Sequence, residues 1–237
     1  MKHNTLFTLT LATALLPLAS RADETNRLSF DVSFYGLAAG MSGDAAVKGV
    51  PAHVEVDFDK IWDHLNFGAM GSARVNYGRW ALSTEVIYMD LEANQNSVSA
   101  QFEQWLVQPA LEYRFSAYVD AYAGARYNNL HIDIQGPGGR SASGTQDWWD
   151  PMVGLRLSVP LGNKFSFNVT GDIGGFGLGS DLTWQAFPFL NWQISKAASM
   201  QLGYRFLYTD YETGSGATRF QYDILTSGPQ IGFSVHF

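Results

Sequence analysis

The chain has 237 residues, no cysteine and a net charge of −7. Its acidic balance excludes a nucleic-acid partner, whose phosphates it would repel, and without cysteine it has no disulfide framework. Only 16% of residues are charged, 14% are aromatic and 24 are glycine, a departure from the ~25% charge of soluble proteins that favours a β-rich membrane class.

Met1 to Ala22 has the layout of a secretory signal. Lys2 is followed by an uncharged apolar run from Leu6 to Ala19, and Ser20-Arg21-Ala22 offers small residues at the −3 and −1 positions of a cleavage point. The run is shorter than the ~20 apolar residues that a membrane-spanning helix requires. Its removal leaves 13 Lys and Arg against 22 Asp and Glu, a net charge of −9 for residues 23–237. That remainder reads as one domain.

Ten segments of two-residue periodicity follow in order: 28–40, 65–77, 80–92, 101–115, 118–134, 148–160, 164–177, 182–194, 198–211 and 219–237. Tight turns at Gly78-Arg79, Ser116-Ala117, Gly162-Asn163 and 195–197 alternate with the loops 41–64, 93–100, 135–147, 178–181 and 212–218. Gly78 stands at the first central position of a type II′ hairpin turn. Short turns at one end and mostly longer loops at the other describe an all-β, up-and-down antiparallel barrel that crosses a membrane with its strands. The expected count is ten, with eight as the alternative. In the first loop, Phe58, Ile61, Trp62 and Leu65 fall at helical spacing behind Asp57, which predicts a short amphipathic helix over 57–64.

Alternation alone does not say which face is outside; the charges do. One face carries residues such as Phe30, Val107, Leu155, Phe167 and Leu202. The other carries Asp31, Arg74, Glu85, Glu112, Arg114, Asp120, Arg126, Asp150, Arg156, Asp172 and Arg205, with no lysine. Lys48, Lys60, Lys164 and Lys196 are confined to loops and turns. A solvated surface uses lysine freely, whereas a confined lumen favours the planar fork of arginine and nearly balanced charge. The polar face is therefore expected inside, with Arg114 facing Asp120, Arg74 near Glu85, and Arg156 within reach of Asp172. Inner glycines at 68, 124, 154 and 203 are expected to leave gaps. Aromatics gather at both strand ends: Tyr77, Trp80, Phe115, Tyr118, Phe165 and Trp192 by the turns, and Tyr88, Trp149, Trp184 and Tyr208 towards the loops. Two such girdles match the headgroup levels of a bilayer.

Three stretches carry a family resemblance. They are Gly78-Arg79-Trp80 leading into Glu85-Val86-Ile87-Tyr88-Met89-Asp90-Leu91, Asp147-Trp148-Trp149-Asp150-Pro151-Met152-Val153-Gly154-Leu155-Arg156, and Gly171-Asp172-Ile173-Gly174-Gly175-Phe176-Gly177. With the terminal strand Gln230 to Phe237, they resemble the small OmpA-like and porin-like outer-membrane barrels of Gram-negative bacteria. The resemblance implies an integral outer-membrane protein with short periplasmic turns, extracellular loops and both termini in the periplasm. It brings no catalytic set with it. Lipid and lipopolysaccharide are the implied neighbours, with the barrel-assembly machinery reading the strand that ends in Phe237.

Few residues suggest chemistry. Gly175 to Gly179 lacks the following helix of a phosphate loop, because a strand resumes at Leu182. His131, Asp133, Asp147 and Asp150 are the ingredients of an omptin-type rim protease, but Asp147 and Asp150 point to opposite faces. His236 shares the inner face with Ser234 and shows no third partner. Asp44, Glu55, Asp57, Asp59 and Asp63 form an acidic loop without metal-ligand spacing. The expectation is a monomer without enzymatic activity, cofactor or metal, serving a structural or interaction role or forming a narrow pore. Its rivals are a small-solute channel, a rim hydrolase and a soluble periplasmic barrel that holds an apolar ligand.

Overall fold

The computed structural model describes residues 27–56, 65–95, 98–136 and 141–237. The predicted helix over 57–64 and the signal segment lie outside them. Twelve strands form one antiparallel sheet: β1 (Leu28–Leu37), β2 (Gly40–Val47), β3 (Val50–Val56), β4 (Leu65–Tyr77), β5 (Trp80–Gln95), β6 (Val98–Arg114), β7 (Val119–Gln135), β8 (Ser141–Pro160), β9 (Phe165–Gly175), β10 (Leu182–Ser195), β11 (Ala198–Thr213) and β12 (Phe220–His236). Ten of them, β1 and β4 to β12, close a barrel through the pairing of β1 with β12. The eight-stranded alternative is excluded.

The four turns expected to be tight all lie at one end. Gly78 adopts φ 59 between β4 and β5, as a type II′ turn requires, and Gly162 adopts φ 102 between β8 and β9. The strand termini meet there too, where Phe30 and Phe237 exchange backbone hydrogen bonds of 3.1 and 2.8 Å.

The expected loop over 41–64 contains a hairpin instead. Lys48 at φ 50 and Gly49 at φ 75 form a two-residue turn of the I′ kind, so β2 folds back along β3. The chain leaves β1 at Leu37, crosses Ala38-Ala39, and resumes as β2 against Phe220–Ser227 of β12. Gly228 permits this crossing, because a Cβ there would collide with the Ala38 carbonyl. The loops over 93–100 and 135–147 also shrink, since β5 runs to Gln95, β6 starts at Val98 and β8 starts at Ser141.

Apolar residues face outward along the turn-end half, where Leu82, Leu111, Val153, Leu155, Leu202 and Phe233 are exposed. Trp80 and Tyr88 mark the two girdles on β5; Trp80 packs on Tyr113, and Tyr88 on Trp105. The run from Trp80 to Tyr88 rises about 27 Å along the strand. A strand tilt of about 40° shortens that to about 21 Å along the membrane normal, comparable with the ~25 Å apolar band of a membrane barrel. The soluble-barrel rival does not fit this belt.

Beyond Tyr88 the polarity inverts. On β5 the outward positions become Asp90 and Glu92 and the inward ones become Ile87, Met89 and Leu91; on β7 the outward side chains become His131 and Asp133 and the inward ones Leu130, Ile132 and Ile134. The loop-end half is thus built like an ordinary soluble β-protein, with water outside and hydrocarbon within. Its core includes Val47 and Val54 of the β2–β3 hairpin, Phe102, Leu106, Phe220 and Ile224. Trp148 stacks flat on Tyr211 there, with centroids 3.9 Å apart. The expectation of a polar interior therefore holds for the membrane-level half only.

Candidate functional site: the charged lumen

All eleven charges predicted for the inner face project into the membrane-level half of the lumen, in tiers. At the turn-end mouth, His236 Nδ1 lies 2.7 Å from Asp31, which also accepts from Asn76 Nδ2 at 2.9 Å. Above them Arg74 bridges Glu112 at 2.7 Å and Asp120 at 2.9 Å. Arg114 reaches Asp120 at 3.4 Å, and Arg156 reaches Glu112 at 3.5 Å.

Deeper, Arg205 clasps both oxygens of Glu85 at 2.6 and 3.1 Å and lies 5.1 Å above the Phe187 ring. Arg126 is wholly buried; it donates to Asp172 at 2.7 Å, to Gln108 at 2.9 Å and to Thr183 at 2.5 Å. Asp172 accepts further from Tyr122 at 3.0 Å and Gln185 at 2.5 Å. Asp150, also buried, is met by neutral donors: Trp148 Nε1 at 3.0 Å, Asn128 at 3.2 Å, and the Ser180 amide and hydroxyl at 2.6 and 2.9 Å. This last set fastens the turn between β9 and β10 to the lumen wall.

One of the three expected pairings forms as drawn, that of Arg114 with Asp120. Arg74 goes to Glu112 and Asp120 while Glu85 receives Arg205, and Arg156 goes to Glu112 while Asp172 receives Arg126. The error has a plain cause. The expected pairs join adjacent strands, whereas a narrow lumen lets long arginines reach past the neighbouring strand, to the second or third strand along and, for Arg205 and Glu85, across the barrel. The neutral partners Gln108, Tyr122, Thr183 and Gln185 gave no charge signal; only their place on the inner parity could have marked them.

The inner-face glycines at 124, 154 and 203 do not leave holes. Tyr122 covers Gly154 and Phe189 covers Gly203, so that a Cβ at either position would strike an aromatic side chain. A cavity of about 1490 Å³ remains, lined at its mouth by Gly78, Arg79, Ser116 and Ala117 and bounded deeper in by Gln185, Arg205 and Gln230. Beyond it stand Ile87, Leu106, Leu130 and Ile132, each no more than 1% exposed. The turn end is an open vestibule and the loop end is a filled core.

The rim residues do not converge. His131 bonds Thr145 at 2.7 Å and Asp133 at 3.0 Å on the outer wall, Asp147 is exposed on that wall, and Asp150 lies inside it. In the acidic first loop, Asp44 pairs with His53 at 2.8 Å; Asp57, Asp59 and Asp63 lie outside the described residues. Among the described residues no group of three or more His, Asp or Glu side chains is placed to hold a metal ion.

A closed ten-stranded antiparallel barrel with hydrocarbon outside and paired charges inside defines the outer-membrane β-barrel class of protein. Among solved structures the chain is similar to the outer-membrane protease OmpT of Escherichia coli, with a TM-score of 0.52 at 9% identity over 89% of this chain and 96% of that one. It is also similar to the attachment invasion locus protein Ail of Yersinia pestis (TM-score 0.41, 11% identity, 89% and 98% covered). A major outer-membrane protein of Thermus thermophilus gives a TM-score of 0.43 at 13% identity, with 89% and 99% covered. At these identities the likeness is one of fold. No protein-family model matches the sequence, and neither does any curated protein.

Proposed function

We propose that the protein is a closed, non-conducting barrel of the outer membrane, whose loop-end body is a structural or interaction surface outside the cell. One observation carries this reading. The loop-end half of the interior is occupied by a buried apolar core into which the β2–β3 hairpin is folded, with Val47, Val54, Leu106, Leu130 and Ile132 each no more than 1% exposed. An open ten-stranded lumen would already be narrow, because eight strands enclose only enough room for side chains to fill.

The orientation follows from the same asymmetry. Short turns and both strand termini face the periplasm, and the polar-walled loop end faces outward. Lipopolysaccharide is the neighbour of the Tyr88 and Trp105 girdle. The apolar outward positions of β12, ending at the exposed Phe237, suit recognition by the assembly machinery. We read the working form as a monomer, since the sheet has no free edge at membrane level.

Planar-bilayer recording tests the seal, with insertion verified by heat-modified migration on gels. The expected trace is flat. Discrete conductance steps from inserted protein would overturn the reading in favour of the small-solute channel.

A further inference from the structure

The vestibule carries a second arrangement that the sequence did not reveal. His236 meets Asp31 through Nδ1 at 2.7 Å and Ser199 Oγ through Nε2 at 3.0 Å. The three residues come from β1, β12 and β11, which are consecutive around the barrel wall, and all three line the cavity. His236 is paired across the ladder with Asp31 and is brought beside Ser199 by the pairing of Ser199 with Ser234. Ser234, which shares the inner face with His236, bonds Ser33 at 2.7 Å.

We infer that Ser199, His236 and Asp31 form a nucleophile–base–orienting set for hydrolysis of small anionic carboxylic esters in the periplasm-facing vestibule. The geometry supplies the roles. Asp31 holds the imidazole by accepting from Nδ1–H, which leaves Nε2 as the acceptor that takes the Ser199 proton. Asn76 donates to the second Asp31 oxygen at 2.9 Å and fixes the carboxylate in turn. Gln201 is the next inward residue of β11 after Ser199; its amide nitrogen lies where a Gly232 side chain would stand, 2.6 Å from that Cβ position, and it lines the same cavity. In this scheme it supplies the donor for a developing oxyanion.

The reaction closes as follows. Ser199 Oγ bonds the ester carbonyl carbon as its proton moves to His236 Nε2, and that proton then leaves with the alcohol when the carbon–oxygen ester bond breaks. Water adds to the acyl-serine, giving its proton to Nε2, and the carboxylic acid departs as Ser199 regains a proton. No oxidant, metal or further reactant is needed.

Charge selects the substrate. Six arginines and four carboxylates line the cavity, a positive surplus inside a chain whose net charge is −7. A charge-lined cleft with low-dielectric walls concentrates ligands of opposite sign. The cavity of about 1490 Å³ has room for a small molecule at the Ser199 wall, and the filled loop-end core closes its far end.

The test uses the full-length protein folded into liposomes, with heat-modified migration confirming the fold of every variant. A fluorophosphonate probe is expected to label Ser199, as located by peptide mass spectrometry. 4-Nitrophenyl hemisuccinate is expected to be hydrolysed faster than the neutral 4-nitrophenyl butyrate. Ser199→Ala and His236→Gln should lower turnover by ~100-fold or more, whereas Ser234→Ala retains it. Folded wild-type protein that is not labelled at Ser199, or turnover that survives Ser199→Ala, would overturn the assignment. Equal rates on the two esters would overturn the anionic specificity. The labelling result does not depend on any variant folding, and a flat conductance trace is compatible with either outcome, so this inference and the sealed-barrel reading fail separately.

Discussion

Replacing Arg126 by methionine tests whether the mid-lumen charges are truly removed from water. Arg126 and Asp172 have fully buried side chains, and their contact is 2.7 Å. Methionine fills similar volume but leaves the Asp172 carboxylate with only the neutral donors Tyr122 and Gln185. Breaking a buried pair from one side costs about 3–5 kcal/mol. With a urea m-value near 2 kcal/mol/M, the unfolding midpoint in vesicles should fall by about 1.5–2.5 M. Asp172→Asn alone should cost a comparable amount, because it strands the guanidinium. The double variant should then cost less than the sum of the singles by about 1–3 kcal/mol, the coupling expected of groups in direct contact. Arg114→Met is the internal control: its side chain is 47% exposed at the vestibule and meets Asp120 at 3.4 Å, so its loss should stay within about 1 kcal/mol. Tryptophan fluorescence and heat-modified gel migration read all four proteins. Additivity of the two Arg126 and Asp172 changes, or an equal effect at Arg114, would refute the reasoning, since either result requires water at the Arg126 level.

Two further outcomes are expected. Gly154→Ala should destabilise by about 1–3 kcal/mol, because its Cβ would collide with the Tyr122 ring and stand 2.6 Å from the Gly171 carbonyl oxygen. Gly36→Ala, with nothing within 4 Å, should change urea midpoints little. At the loop end, burial first and then Asp223, Asp181 and Glu212 hold the Asp210 carboxyl above its ordinary value of 3.8; Asp223 is its direct cross-strand partner and Asp44 lies opposite Asp223 in turn. A raised folded-state value means that ionisation opposes folding, a cost present at neutral pH and absent once both states are protonated. Asp210→Asn should therefore be more stable than the parent at pH 7, with the gain shrinking as pH falls through the Asp210 range towards 3.8 and below. A gain that persists unchanged at acid pH would point to packing instead of charge.

Much of the architecture was legible because its signals are local. A period of two, a glycine at the head of a tight turn and an aromatic at the end of a strand are properties of neighbouring residues, so nine of the ten barrel strands fall within three residues of their expected bounds, and β8 alone starts well before its own, at Ser141. The β2–β3 hairpin is hidden in the sequence because its turn is Lys48-Gly49, a weaker signal than Asn-Gly, and because its strands are only eight and seven residues long. The inversion beyond Tyr88 was masked by the same alternation that revealed the strands. Polar and apolar positions exchange faces there without any break in period, so the pattern continues while its meaning reverses.

The sequence by itself determined that this chain is a barrel, that arginines and carboxylates share its inner face, and that hydrocarbon borders the opposite face at membrane level. Which carboxylate each arginine meets was decided only by the closed and staggered sheet, which brings Arg205 onto Glu85 from 120 residues away and sets Arg126 beside Asp172 past the intervening strand β8. Closure also set Ser199 and Asp31 on either side of His236, from opposite ends of the chain. These contacts depend on the stagger between strands and on a lumen narrow enough for side chains to span, and neither quantity is written in any local run of residues.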